Sequence, residues 1–322
     1  MKKLNHQQKT FSLKEKVSKQ SSRKLITDKI FAGFLLALAL ICASTIVFIV
    51  VFIVRQGVMP FIKKYAIGND VYYTADLGLF LTGTNWIKYN YGVLGAAINT
   101  LYLVSIASIF ALIISVLTAL FIVRIAGKYL GPAMQSIIEL LASIPSIIFG
   151  LFGQGFICPL VRDLASSIGI QTMGGTSGLS TIIVLVMMMI PTITMICITS
   201  MRGVDQTLIH ASLALGATKT QTDFKVVIRS ARSGIFAGLI LGIGRALGEA
   251  TAVSMVCGMP TKGPVFNLFD ITSTLTSTMM LGIHETSGVD FDIRFSVGIV
   301  LIAIILVTNV TLNLIKKRME RI

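Results

Sequence analysis

Six stretches of this chain are apolar and long enough to cross a bilayer, near residues 30–54, 97–123, 136–159, 180–201, 235–257 and 296–315. About 20 residues at ~1.5 Å rise per residue cover ~30 Å of hydrocarbon, where a backbone finds no water to satisfy its polar groups. Continuous apolar runs of that length specify helices rather than barrel strands, which alternate in polarity. The expected fold class is an all-α integral membrane protein with six transmembrane helices. Composition agrees: only 13% of the 322 residues are charged, against ~25% in soluble domains.

The formal net charge of +14 is distributed by loop. Residues 1–29, 124–135, 202–234 and the C-terminal tail hold 20 of the 28 Lys and Arg, whereas the three alternate connections hold seven. That asymmetry is a topology signal that places both termini in the cytoplasm. Residues 1–29 read as a basic cytoplasmic tail, disordered or lying on anionic lipid, and 30–322 as the transmembrane domain, with its core unit at about 94–315. A nucleic-acid partner would need a basic face on a folded domain, and none is encoded, so membrane lipid is the expected basic-tail partner. The first apolar run lacks a small-residue cleavage site and reads as a retained helix.

Cys42, Cys158, Cys197 and Cys257 are scattered singly and read as small buried hydrophobes. With His6, His210 and His284 equally dispersed, no metal site is expected. Phosphate-loop, HExxH and GxSxG motifs are absent from the sequence, so no catalytic residues are assigned.

The fifth run contains the stretch Gly244-Arg-Ala-Leu-Gly-Glu-Ala250. On a helical wheel, Gly234, Gly238, Gly242, Arg245, Glu249 and Ala252 share one face about 80° wide. A charge at a helix centre costs from ~2.5 to more than 10 kcal/mol, so that face must avoid lipid, and its combination of charge, small residues and no bulk reads as the wall of a polar cavity between helices. Arg245 and Glu249, at i and i+4, either form a salt bridge that locks packing or line a solute route in which Arg245 attracts an anion. In the third run, Glu139 shares an arc with Ala142, Ser143, Ser146, Gly150 and Gly153, beside a break expected at Pro145. This arc reads equally as a cavity wall or a packing face. The connection 202–234 carries two short amphipathic helical patterns separated by Gly216, suited either to a cytoplasmic partner or to lipid headgroups.

The stretch 210–253, HASLALGATKTQTDFKVVIRSARSGIFAGLILGIGRALGEATAV, resembles the permease signature of bacterial ATP-binding-cassette importers. The pattern GATxxQT…GI…GxGRAxGE is similar to the phosphate-specific (Pst) branch and its PstC type, as are residues 139–153, Pro191-Thr192 and residues 80–86. The resemblance implies a type I importer permease (MetI-like) fold in a bacterial plasma membrane. It implies a second permease of PstA type, a cytoplasmic ATPase dimer of PstB type and an extracytoplasmic phosphate-binding protein of PstS type. It further implies that ATP and Mg are bound by the ATPase, with no cofactor in this chain. The 202–234 connection would then be the coupling loop, with His210, Ala211, Gly216 and Ala217 at the matched positions. Arg245, Glu249 and Glu139 would lie on the substrate path. Two positions depart from the pattern: His210 replaces the leading Glu, and Arg229-Ser230 replaces a Leu-Pro pair. Sulfate or molybdate as substrate, or a membrane scaffold without transport, remain as alternatives.

Overall fold

The structure is a computed structural model describing residues 2–68 and 71–320, with side chains for 28–66 and 72–318. The contacts divide the chain into Met1–Arg55 and Gln56–Ile322. The first unit is a length of helix α1 (Lys2–Ile62) whose described side chains, from 28 to 55, are all exposed except the half-buried Ile53. The apolar stretch of that helix, Asp28–Ile62, is 35 residues long and suffices to cross a bilayer. The lipid-surface reading of the tail concerns side chains outside the described residues.

In the second unit, strands β1 (Tyr65–Gly68) and β2 (Val71–Tyr73) pair antiparallel, as do β3 (Trp86–Ile87) and β4 (Asn90–Tyr91), with helix α2 (Leu77–Thr82) between the two hairpins. Helix α3 (Leu94–Leu120) closes in a π turn, Phe121–Ile125. Helices α4 (Leu130–Ser143), α5 (Ser146–Phe152) and α6 (Cys158–Ser167) follow, then the long α7 (Gly178–Arg202). Beyond it lie α8 (Gln206–Ala214), α9 (Lys219–Thr222), α10 (Ile228–Ser230), α11 (Arg232–Leu247), α12 (Thr251–Val256), α13 (Leu275–Met280) and α14 (Val289–Glu320). Among the described residues, five stretches are long and apolar enough to span a membrane; a sixth is gained if Lys219–Ser230 and Arg232–Leu247, bent by 65°, count as one.

Helix α7 is the central strut. Ala107, Ala111, Ser115 and Ala119 recur every fourth residue on α3, and all four are fully buried. They share a core with Leu185, Met189, Ile193 and Cys197 of α7, and the Ser115 hydroxyl donates to the Ile190 carbonyl at 3.2 Å. Small residues let helix backbones approach where lipid removes any hydrophobic drive to associate. On the other side of α7, α11 packs through its glycines. A Cβ on Gly234 would strike Ser200, and one on Gly242 would sit 2.8 Å from Ile193. The glycine stripe is therefore a helix seam. The expected reading, in which it lined a cavity together with the charges, is corrected.

Two expected spans are broken. The third does not run 136–159: α4 stops at Ser143 because Pro145 has no N–H to continue it, and the continuous span is Ser146–Ser167. The fifth does not run 235–257: α11 ends at Leu247, and α12 begins after Gly248, Glu249 and Ala250. On α5, Gly150 lies against α12, where a Cβ would come within 2.9 Å of the Ala252 Cα. The small-residue arc of the third run is thus, at Gly150 and Gly153, a packing face.

Residues 258–274 form no helix or strand, yet their backbone is partnered. Val265 N–H donates to Asn99 Oδ1 at 2.9 Å, Tyr102 O–H donates to the Val265 carbonyl at 2.7 Å, and Leu179 N–H donates to the Leu268 carbonyl at 2.7 Å. The segment between α1 and α3 packs Phe80, Tyr91 and Val93 with Ile293 and Val297 of α14. Asp292 there accepts from Gln56 and from the Tyr65 hydroxyl. Burial and that bond push the Tyr65 phenol well above its ordinary range. Cys158, Cys197 and Cys257 are buried as expected, whereas Cys42 is exposed on α1.

The α7–α11 seam makes an internally controlled prediction. Gly242→Val should destabilise the protein by about 1–3 kcal/mol through overpacking. Gly244→Val, where a Cβ meets nothing within 4 Å, should leave the detergent-solubilised melting temperature nearly unchanged. Equal losses at both positions would refute the seam.

Candidate functional site

Arg245 stands one turn before the end of α11, half-buried, and its Nη1 donates to Thr192 Oγ1 on α7 at 2.8 Å. It lies ~20 Å along α11 from Arg232, deep relative to the helix start. The guanidinium lines an open groove of about 610 Å³ between α11, α7 and α14. Ala237, Leu241 and Gly244 form its α11 wall, and Asn309, Asn313 and Lys316 line it from α14. These last three recur at i, i+4 and i+7, one polar edge of an otherwise apolar helix. The groove thus runs from a lysine at one end to an arginine at the other, with neutral amides between.

Glu249 does not join Arg245. The helix has ended before it, and among the described residues the two form no ion pair, so the expected i, i+4 pairing is corrected. Instead Glu249 is buried, with 8% exposure, and its Oε1 accepts from the Ala252 N–H at 2.9 Å. Its own carbonyl accepts from Thr276 Oγ1 at 2.7 Å. A carboxylate at the start of α12 satisfies an orphan donor and favours the positive end of the helix dipole. Glu139 is also apart from the groove: it is exposed on α4, accepts from Gln135 Nε2 at 2.8 Å, and Gln135 in turn accepts from Arg202 at 2.7 Å.

The 202–234 connection forms a second compact feature. Asp205 accepts from the Thr207 N–H at 2.9 Å and caps α8. That backbone bond, with the Thr207 hydroxyl, holds its carboxyl below the usual carboxylate range, so the cap persists until strong acid protonates it. Helix α8 ends as the sequence requires. Gly216 has φ +83, its N–H donates to the Leu213 carbonyl, and Ala217 N–H donates to the Ser212 carbonyl. This pair of bonds is the Schellman closure, and a residue with a Cβ is strained there. Thr218 and Gln221 then form a capping box for α9. Val204 and Ile209, with the partly buried Leu213, anchor the first half of the feature in the core. His210, Ala211 and Gly216 are exposed, and so are the apolar Leu208 and Leu215, the latter 89% exposed. Behind them, Arg124 Nε donates to Asp223 Oδ1 at 2.6 Å and ties the loop to the end of α3.

A family model described as "Binding-protein-dependent transport system inner membrane component" matches residues 111–321. The chain belongs to that family. It is 32% identical over 273 residues to "Probable ABC transporter permease protein YqgH" of Bacillus subtilis, covering 83% of each chain. It is 30% identical over 259 residues to "Phosphate transport system permease protein PstC" of Pasteurella multocida, covering 76% of this chain and 80% of that one. Its fold matches a chain of a bacterial ABC transporter involved in alginate import, with TM-score 0.61 at 19% identity over 87% of this chain and 95% of the other. A chain of the inward-facing MetNI methionine ABC transporter matches with TM-score 0.54 at 18% identity, over 70% of this chain and 95% of that one. The protein is thus a multi-pass membrane permease with the type I ABC importer fold.

In this permease the sequence reading located Arg245 and the 202–234 feature but missed what surrounds them. Thr192 was noticed only as half of a Pro-Thr pair. Asn309, Asn313 and Lys316 carried a legible signal, their i, i+4, i+7 spacing in a membrane span, that went unused. The Arg124–Asp223 pair had none, since 99 residues separate the partners. Asp223→Asn should cost about 1.5–3 kcal/mol, the worth of a charge-assisted hydrogen bond. A thermal melt of the variant beside Arg124→Gln and the double variant should show strong non-additivity, and additive losses would dissolve the pair.

Proposed function

We propose that this permease is the transmembrane subunit of an ATP-driven phosphate importer. In this reading it forms the translocation path with a second, PstA-type permease. A dimer of PstB-type ATPases docks on the cytoplasmic side, and a PstS-type binding protein delivers phosphate from outside. ATP and Mg belong to the ATPases, and this chain brings no cofactor. Both termini are cytoplasmic.

The observation that carries the reading is Arg245, a half-buried guanidinium within a membrane span that opens on a groove edged by Thr192, Asn309, Asn313 and Lys316 rather than on an ion pair. A planar fork of donors suits a tetrahedral oxyanion. Thr192 fixes the fork by taking one donor at 2.8 Å and leaves others for the anion. Lys316 at the far end and the two amides between give a passing anion weak successive partners, as conduction requires. An open groove of this kind has no use in a scaffold, which disfavours that alternative. The choice of phosphate over sulfate or molybdate rests on the PstC relatives.

Glu249 then serves the path as a positioning residue, holding the helix break four residues past Arg245. Glu139 belongs to the path nearer the cytoplasmic end, where Gln135 links it to Arg202. Exposed His210 and Ala211, with Leu208 and Leu215, form the ATPase contact, shaped by the turn at Gly216 and Ala217. The imidazole offers a hydrogen bond where related permeases use a carboxylate. The Arg124–Asp223 tie passes the ATPase's push to α3.

Radiolabelled phosphate uptake by the complete reconstituted complex tests this. Arg245→Gln should reduce uptake tenfold or more, on the worth of a charge-assisted hydrogen bond, with co-purification of the partners unchanged. Persistent uptake would remove the groove from the path, and better competition by unlabelled sulfate than by phosphate would reassign the substrate. Gly216→Val, strained by ~1–2 kcal/mol at positive φ, should leave ATP hydrolysis running while uptake falls, or release the ATPase. Normal turnover would count against α8 as the contact.

A further inference from the structure

At the opposite end of α14 from Lys316, ~33 Å away along the helix, a second cavity of about 600 Å³ is lined by Thr176, Ser254, Met255, Met259, Glu285 and Arg294, among others. Arg294 is its distinctive member. It is only 5% exposed, and among the described residues it has no carboxylate within ion-pair distance. The neighbouring acids are engaged elsewhere: Asp290 by the Tyr91 hydroxyl and Lys88, Asp292 by Gln56 and Tyr65. Nη1 donates to the Thr278 carbonyl at 2.6 Å and to the Met279 carbonyl at 3.4 Å, at the end of α13. Nε is enclosed and has no acceptor at all. Nη2 lies beside Gly282 on the cavity wall.

A guanidinium kept this dry, with its Nε unpaired and Asp290 acting on it only from beyond ion-pair distance, is costly unless something negative visits it. If α13 only needed its carbonyls capped, Nη1 alone would suffice, and a neutral amide would do so without the burial of charge. The cavity wall also carries the hydroxyls of Thr176 and Ser254, which donate to the Met173 and Thr251 carbonyls and would turn from them to an anion, and among the lining residues no carboxylate but Glu285, which is exposed on the rim. That rim charge tempers the attraction and suits brief occupancy over tight holding.

We propose that the Arg294 cavity is a transit subsite for a small tetrahedral oxyanion, on the face of the membrane opposite the Lys316 end of the Arg245 groove. The proposal deepens the phosphate-import reading and rests on it for the anion's identity, but not for the existence of the subsite. Arg294 attracts the anion into the cavity with its unused edge, and the hydroxyl groups replace part of its hydration. The anion leaves unchanged, and no bond is made or broken.

The test reads the cavity without reading transport. In the complete complex, with Cys42 replaced by Ser, Ser254→Cys places a thiol on the cavity wall. A negatively charged methanethiosulfonate should modify it about tenfold faster than a positively charged one, because a focused positive potential concentrates anions. Inorganic phosphate at millimolar concentration should slow modification by both. Arg294→Gln should abolish the charge bias and the protection, and Arg294→Lys should retain the bias. An uncharged thiosulfonate reacting at equal rates in all variants shows that the cavity is intact. Equal rates for the two charged reagents, or a bias that survives Arg294→Gln, would overturn the subsite. Protection by sulfate or molybdate but not by phosphate would support the subsite and overturn the phosphate reading instead.

Discussion

A fixed positive charge inside a low-dielectric layer has to be solvated by something, and the placement of Arg245 organises much of this permease. One of its donors is satisfied by Thr192 across the α7–α11 seam. That contact exists because glycines at 234, 238 and 242 bring α11 close to α7, within reach of a short threonine side chain. The same seam leaves Gly244 facing open space, so the guanidinium is held from one side and free on the other. Close packing and an open groove are therefore consequences of one pattern of small residues.

Packed backbone outside regular helices imposes the second constraint. Where α4 gives way to α5 and α11 to α12, and through residues 258–274, the helical ladder is lost and its donors and acceptors need substitutes. They are supplied by named side chains: Asn99, Thr100 and Tyr102 of α3 serve Val265 and Leu275, and Thr276 and Glu249 serve the break after α11. Broken helices of this kind survive only where protein satisfies them, which places these side chains next to elements that can move without being rebuilt.

The sequence made the fold class readable because hydropathy and length act locally, one helix at a time. Pro145 announced its own break through its missing N–H, and Gly216 its turn through its missing Cβ. The break at Gly248 was not legible, because what stabilises it is a hydroxyl on α13 and a carboxylate that turns forward onto α12. A wheel drawn through that break placed Glu249 beside Arg245, and the two go separate ways. The groove was half visible: the wheel found its charge, but glycines assigned to a cavity wall belong to a seam. Its other wall comes from α14, which no short-range pattern connects to α11. His210, Ala211 and Gly216 are exposed, with Ala217 half-buried beside them, along the end of α8 and its closing turn, a placement the local caps of Asp205 and Thr218 dictate.

The central claim is that Arg245 faces water rather than lipid or a dry protein seam. Gly244→Cys measures this directly, since a side chain fits there without contact. In the assembled complex, with Cys42 replaced, a membrane-impermeant charged thiol reagent should label this cysteine from one side, and phosphate should slow the labelling. A cysteine that ignores every charged reagent from both sides, yet reacts with a lipid-soluble maleimide, would contradict the account.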